Sequence, residues 1–275
     1  MPDWQEILRE CSQNVRANTL HLLQKPRHER SYGTGAGGDT TFQIDHIAEN
    51  TIINTIKHHS IEFTLISEEA GIKKIGKNPK WYVTIDPIDG TTNALRGMPF
   101  VATSIAVSEK PQFQSVTHAL VTDLHHNMTY TAQKGMGAQK NNKKIKPAKT
   151  STLEDLTLGI EILLKTPQNV KAATAILRNT KHPRHLGADA LEICYVADGT
   201  TDGFIDLRNK LRVTDMAAAQ LILTEAGGVI TKPDGKKITL PLEPTQRTSF
   251  IAAANKTLHR KLKALITQGA QQTPC

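Results

Sequence analysis

The sequence predicts an α+β first half that runs into an α/β second half, with two sheets sandwiched between helix layers. Three observations predict it. Two amphipathic helical segments open the chain, short β-rich runs punctuated by Gly and Asn follow, and strands and helices alternate beyond about residue 150. From Trp4 to about Lys25, Ile7, Leu8, Cys11, Val15, Leu20, Leu22 and Leu23 fall near helical spacing, and Pro26 closes the segment. A Gly-rich loop (Gly33, Gly35, Gly37, Gly38) leads to a second helix over about 43–58, with Ile44, Ile47, Ala48, Ile52 and Ile56 on its apolar face. Residues 63–66 and 81–85 are short strands that stop at acidic residues. Residues 101–107, 115–122 and 127–132 form an antiparallel meander, so an antiparallel sheet is expected in the first half and a mixed one in the second. In the second half, strands at 156–160, 203–207 and 249–253 alternate with helices at 170–177, 188–197, 213–225 and 255–266; Gly227-Gly228 suit a left-handed C-cap. The expected division is 1–149 and 150–275, with a polar, frayed tail from Gln268.

Composition restricts the class. The 275 residues are 38% hydrophobic and 22% charged, as in a globular protein with a sizeable core. No apolar run approaches the roughly 20 residues of a membrane span, and the N-terminal residues lack the apolar stretch of a signal peptide. Cys11, Cys194 and Cys275 are odd in number and far apart, which fits neither a disulfide framework nor a zinc site; a reducing cytoplasm is expected. Net charge is +8, with one dense basic run from Lys140 to Lys149. That run holds no aromatic residue for base stacking, and Asn141-Asn142 marks a turn, so a solvated hairpin is expected and nucleic acid is not. A positive field also suits a small anionic substrate.

The strongest local signal is Asp86-Pro87-Ile88-Asp89-Gly90-Thr91-Thr92-Asn93, directly after an apolar strand. Two carboxylates three residues apart, with Pro and Gly around them, stand where a strand breaks and both side chains can converge. Carboxylates and a backbone carbonyl are the ligands that hard cations such as Mg²⁺ take. Thr91 and Thr92 open a short helix whose N–H groups suit a phosphate. Taken singly, each Asp is equally well an ordinary turn residue. Glu68-Glu69 is likewise either a solvated turn or part of the same cluster, and Asp215 either a helix cap or a further ligand.

Taken together, these residues resemble the inositol monophosphatase family, within the magnesium-dependent phosphatase superfamily that includes fructose-1,6-bisphosphatase. Asp86 to Asn93 matches the first signature. Asp215 to Gly228, an Asp leading a helix that ends in Glu-Ala-Gly-Gly, matches the second. The resemblance runs from about residue 4 to 266. Residues 187–197 and 202–212 look closest to archaeal-type members active on both inositol monophosphate and fructose 1,6-bisphosphate. It implies a layered α-β-α-β-α sandwich of the sugar-phosphatase type and two to three Mg²⁺ per site, with Mn²⁺ as the alternative. Asp86 would bridge two metals. Glu68 and the Ile88 carbonyl would complete the first site, Asp89 and Asp215 the second, and Glu68 with Asp39 a weaker third. Thr91 paired with Asp45 would activate the attacking water, and the Gly90 and Thr91 N–H groups would hold the phosphate. Gly187, Ala188 and Asp206 would line the sugar side, with Arg184 and Arg208 contacting a phosphorylated sugar. Asp189 departs from the pattern, which has a small or apolar residue there. Thr214 replaces the Trp that precedes the metal-binding Asp in animal-type members.

The implied activity is hydrolysis of a sugar or inositol phosphate monoester by a soluble, cytoplasmic homodimer without membrane contact. Alternatives are a nucleotide, NADP(H) or 3′-phosphoadenosine phosphatase of the same superfamily, and a non-catalytic binding protein on the same fold. Gly33 to Gly38 satisfies the dinucleotide fingerprint G-x-G-x-x-G but does not follow a strand, so a flexible loop over the metal site is expected instead. The histidines lack zinc-ligand spacing, and Cys194 belongs to a helix core.

Overall fold

The computed structural model describes residues 2–24 and 31–271. Helix α1 (Trp4–Leu23) begins where Asp3 accepts the Glu6 N–H, and it buries Trp4, Leu8, Cys11 and Val15. The stop expected at Pro26 lies outside the described residues. Strands β1 (Ser31–Thr34) and β2 (Thr40–Phe42) pair as a hairpin that leads into α2 (Gln43–His58). Then come β3 (Phe63–Ser67), β4 (Gly71–Ile75), β5 (Trp81–Asp89), α3 (Thr91–Arg96), β6 (Ala102–Ser108), β7 (Val116–Asp123), β8 (Met128–Gln133), β9 (Gly137–Lys140) and β10 (Lys143–Lys144). The rest comprises β11 (Thr157–Glu161), α4 (Pro167–Asn179), β12 (His182–Arg184), α5 (Asp189–Asp198), β13 (Gly203–Arg212), α6 (Val213–Ala226), β14 (Val229–Thr231), β15 (Arg247–Ala253) and α7 (Lys256–Gln271). The tail expected to fray from Gln268 stays helical to Gln271, and residues beyond it are not described.

Five layers result. Helices α1 and α2 cover one face of an eight-stranded sheet ordered β10-β9-β8-β7-β6-β5-β3-β4. Helices α5 and α6 fill the space between it and a five-stranded sheet ordered β12-β11-β13-β15-β14, whose outer face carries α7 with α4 against it. The α-β-α-β-α sandwich is therefore observed. One detail corrects the expectation of an antiparallel first sheet: β3 and β5 are parallel. The chain turns out through β4 to the sheet edge and returns on β3's other side, which reverses it twice. Strand β4 escaped the sequence reading because Ile72, Lys73 and Lys74 are exposed, as suits an edge strand.

The middle core is built from both sides of residue 149. Ile66, Val121, Leu191, Met216, Ile222 and Phe250 belong to one buried cluster. Helix α6 is buried nearly all round, which explains its run of Ala217, Ala218 and Ala219: small side chains let it sit between two sheets. Asn141 and Asn142 both take positive φ (48° and 65°) in the β9–β10 turn, so the basic stretch begins as the expected hairpin. Among the described residues no helix is long and apolar enough to cross a membrane.

Candidate active site

Strand β5 does not simply end at Asp86. It continues to Asp89 through a register shift against β6: Asp86 faces Ser104 and Asp89 faces Ala102, so the Pro87-Ile88 segment carries one residue more than its partner. In a regular strand, residues three apart point to opposite faces. The bulge resets that alternation and brings both carboxylates to one cavity of about 490 Å³. The Thr103 hydroxyl fixes the bulge by donating to the Pro87 carbonyl at 2.8 Å. At Gly90, φ is +90°, and a β-carbon would lie 3.0 Å from the Phe100 carbonyl and 3.1 Å from Ala188 Cβ. Only glycine combines that backbone with such close approach between the two sheets' loops. Asn93 then ties the same junction, donating to Phe100 O (2.9 Å) and Leu186 O (2.7 Å).

Three remote segments meet at the bulge. Glu68 follows β3, Asp86 lies in β5, and Asp215 stands in the first turn of α6; each offers an oxygen, all within 4.8 Å of one another. Burial, then the charges of Asp215 and Glu69, push the Glu68 carboxyl up to about 10. Burial followed by Glu68 and Asp215 also raises Asp86, and burial raises Asp215 against the opposing pull of Arg212. Protein alone cannot keep three such carboxylates ionised together. An all-oxygen donor set with surplus negative charge fits a hard divalent cation.

Asp89 is engaged differently. It accepts backbone N–H groups from Asp189 (3.0 Å), Ala190 (2.8 Å) and Leu191 (3.4 Å), the opening residues of α5, while still lining the cavity. Thr91 Oγ1 lies 3.4 Å from Asp45 Oδ1 and 3.0 Å from the Ile88 carbonyl oxygen, so the sequence-predicted pair is adjacent. Asp45 Oδ2 accepts the Phe42 N–H at 2.7 Å.

The Gly-rich segment forms a hydrogen-bonded turn between β1 and β2. Ala36 and Gly37 donate to the carbonyls of Glu69 (3.0 Å) and Glu68 (2.7 Å), and Arg247 Nη2 holds the Gly37 carbonyl at 2.5 Å. A β-carbon on Gly37 would come 2.8 Å from Arg212 Nε and 2.9 Å from Glu68 Cγ, so close packing accounts for the glycine. Asp39, on this turn, is mostly exposed and pairs with Arg212. Arg212 Nη2 also binds Glu68 Oε1 at 2.7 Å, and Nη1 is 3.7 Å from Asp215. Sequence reasoning missed this cation among the carboxylates. The available signal was its place three residues before Asp215, at the N-cap of α6, where Asp215 reaches back to its N–H at 3.1 Å.

On the opposite side, Gly187, Asp189 and Arg208 line the cavity. Ala188 and Asp206 are fully buried behind it, and Arg184 lies exposed on β12, outside the lining. Glu161 and Glu192 were also missed. Glu192 accepts the Leu186 and Gly187 N–H groups at 3.3 and 3.1 Å and so shapes the loop beside Asn93.

A carboxylate-lined cavity in a five-layer sandwich defines a class, and comparison with known proteins gives the family. The chain belongs to the inositol monophosphatase family, whose pattern matches residues 4–273. It is 38% identical over 237 residues to the fructose-1,6-bisphosphatase/inositol-1-monophosphatase of Methanothermobacter thermautotrophicus, covering 83% of this chain and 84% of that one. It is 34% identical over 281 residues to the bifunctional NADP phosphatase/NAD kinase of Methanococcus maripaludis, covering 94% of this chain but 48% of that longer protein. A solved inositol monophosphatase-fructose 1,6-bisphosphatase superposes with a TM-score of 0.86 at 29% identity, over 96% of this chain and all of that one. The protein is thus a phosphatase of this metal-dependent superfamily, a phosphoric monoester hydrolase.

Proposed function

We propose that the protein is a Mg²⁺-dependent phosphatase acting on a phosphate monoester of a sugar or inositol. The observation that carries this reading is the convergence of Glu68, Asp86 and Asp215 from three distant stretches of chain to within 4.8 Å. These carboxylates, with Asp89 and the Ile88 carbonyl, would hold the metal, and Asp39, now paired with Arg212, would join Glu68 at a weaker third position. Bound Mg²⁺ would supply a more acidic attacking water and neutralise phosphate oxygens. The remaining work falls to the chain's own groups. The Gly90 and Thr91 N–H groups hold the phosphate. The attacking water gives a proton to Thr91 Oγ1, whose own proton passes to Asp45 Oδ1. The hydroxide left from the water forms the new bond to phosphorus as the ester P–O bond opposite it breaks, and the departing alkoxide takes up a proton from solvent as alcohol while Asp45 returns its proton to solvent.

A second reading has specific support in the Methanococcus maripaludis relative: the 2′-phosphate of NADP as substrate. One phosphate-release panel separates these, with inositol 1-phosphate, fructose 1,6-bisphosphate, NADP⁺ and 3′-phosphoadenosine 5′-phosphate, each with and without Mg²⁺. Mg²⁺-dependent release from the sugar or inositol esters supports the first reading. Release confined to the nucleotides replaces it with the second, and no release from any ester removes both.

A further inference from the structure

The end of the cavity away from the carboxylate trio is built around Arg208. Its guanidinium is held on three sides: Nη2 binds Asp189 Oδ2 (2.8 Å) and Asp206 Oδ2 (2.7 Å), Nε binds Asp206 Oδ2 (3.1 Å), and Nη1 binds Glu161 Oε2 (2.9 Å). A guanidinium has five N–H donors; three of them donate to Asp189 and Asp206, and Nη1 forms an ion pair with Glu161. The fold prepares the cage. Glu161 and Asp206 are register partners on the parallel strands β11 and β13, and Arg208 follows two residues after Asp206 on the same face. Asp189 comes from the first turn of α5, whose backbone is anchored to Asp89.

Two consequences concern the ester's leaving group. The cage places three carboxylates around one permanent cation, with His185, largely exposed, 2.7 Å from the far oxygen of Glu161. The other arginine lining the cavity, Arg212, is occupied by Asp39 and Glu68. A second phosphate arriving here would therefore meet a ring of acidic oxygens around an arginine whose guanidinium already bonds to Asp189 and Asp206 and pairs with Glu161. Asp189 Oδ1, in contrast, is buried without a hydrogen-bond partner. Such an acceptor is costly until a donor satisfies it. An alcohol hydroxyl carries that donor, whereas a phosphate dianion has only acceptors.

We propose that Asp189 is a specificity-determining residue: by completing the cage on Arg208 it makes the leaving-group end select hydroxyl-rich monophosphates and reject bisphosphates. The inference rests on the phosphatase reading above and narrows its substrate class. The test is kcat/KM, with Mg²⁺, on fructose 1-phosphate and fructose 1,6-bisphosphate, which differ only in the second phosphate, with inositol 1-phosphate alongside. Wild type should prefer the monophosphate by at least about tenfold. Asp189→Ala should shrink that preference about tenfold, chiefly through a lower KM for the bisphosphate, and Glu161→Gln should move it the same way without changing side-chain shape. Equal use of both esters by wild type overturns the proposal. So does an unmoved preference in Asp189→Ala of wild-type melting temperature; should that variant not fold, the wild-type ratio and Glu161→Gln decide alone. No phosphate release by wild type from any ester would instead overturn the phosphatase reading, and this inference with it.

Discussion

The two ends of the cavity use the same residue type to opposite effect. At one, Glu68, Asp86 and Asp215 crowd together; burial pushes all three carboxyls up, and neighbouring carboxylates add to it at Glu68 and Asp86. At the other, Glu161, Asp189 and Asp206 converge on Arg208, which contacts each of them. The first set is incomplete without a cation from solution. The second carries its cation covalently. The lesson is that what a cluster of acids can hold depends on where the chain puts its arginine: in one place a guanidinium in contact with all three carboxylates, and in the other an arginine that reaches Glu68 and the exposed Asp39 and stays 3.7 Å from Asp215.

The largest expected effect breaks the comparison at its open end. Asp86→Asn should lower Mg²⁺-dependent phosphate release by at least about a thousandfold. The metal-free variant should fold with an unchanged or higher melting temperature, because one of three repelling groups is gone. Retained activity would mean the metal ligands are misassigned. Next, Thr91→Ala should reduce kcat about a hundredfold and raise KM far less, since it removes the relay to Asp45 rather than a substrate contact. A pure KM effect would make Thr91 an anchor for phosphate only.

A third prediction sharpens the contrast through pH. The folded-state carboxyl of Glu68 is raised from its ordinary 4.5 to about 10, so folding favours the protonated form. Its contribution is fully present below about 4.5 and is lost progressively as pH climbs towards about 10. The melting temperature of the metal-free protein should therefore fall across that interval, and saturating Mg²⁺ should offset most of the fall, because the metal binds the ionised form. A metal-free melting temperature that rises from neutral to alkaline pH would show that the trio is not strained as described.

Much of this was legible in the sequence, for identifiable reasons. The bounds of α2 follow from helical spacing of isoleucines, and Asp86 to Asn93 announces itself because Asp, Pro and Gly cluster after an apolar strand. Order along the chain, however, says nothing about pairings over a hundred residues or more. The link from Asp89 to the N-terminus of α5 and the reach of Arg212 to Asp39 depend on how layers stack, and the nearer pairing of Asp189 with Arg208 depends on how α5 meets β13. The bulge at Pro87-Ile88 was hidden as well, since an extra residue shows only when the partner strand is known.

The smallest predicted effect tests how closely the turn at Gly37 governs the open end. A methyl group there would fall within 3.0 Å of both Arg212 Nε and Glu68 Cγ, so one of these must shift or the turn must lift. Overpacking of this kind costs about 1 kcal/mol or more, several-fold in an equilibrium constant. Gly37→Ala should thus raise the Mg²⁺ concentration for half-maximal activity by about three- to tenfold, through displacement of Glu68 and of the turn bearing Asp39. The distant cage feels none of this, so the ratio of kcat/KM for fructose 1-phosphate over fructose 1,6-bisphosphate should stay as in wild type. If the ratio moves while the Mg²⁺ dependence does not, the two ends are coupled through Arg212 rather than independent, and the contrast drawn between them fails.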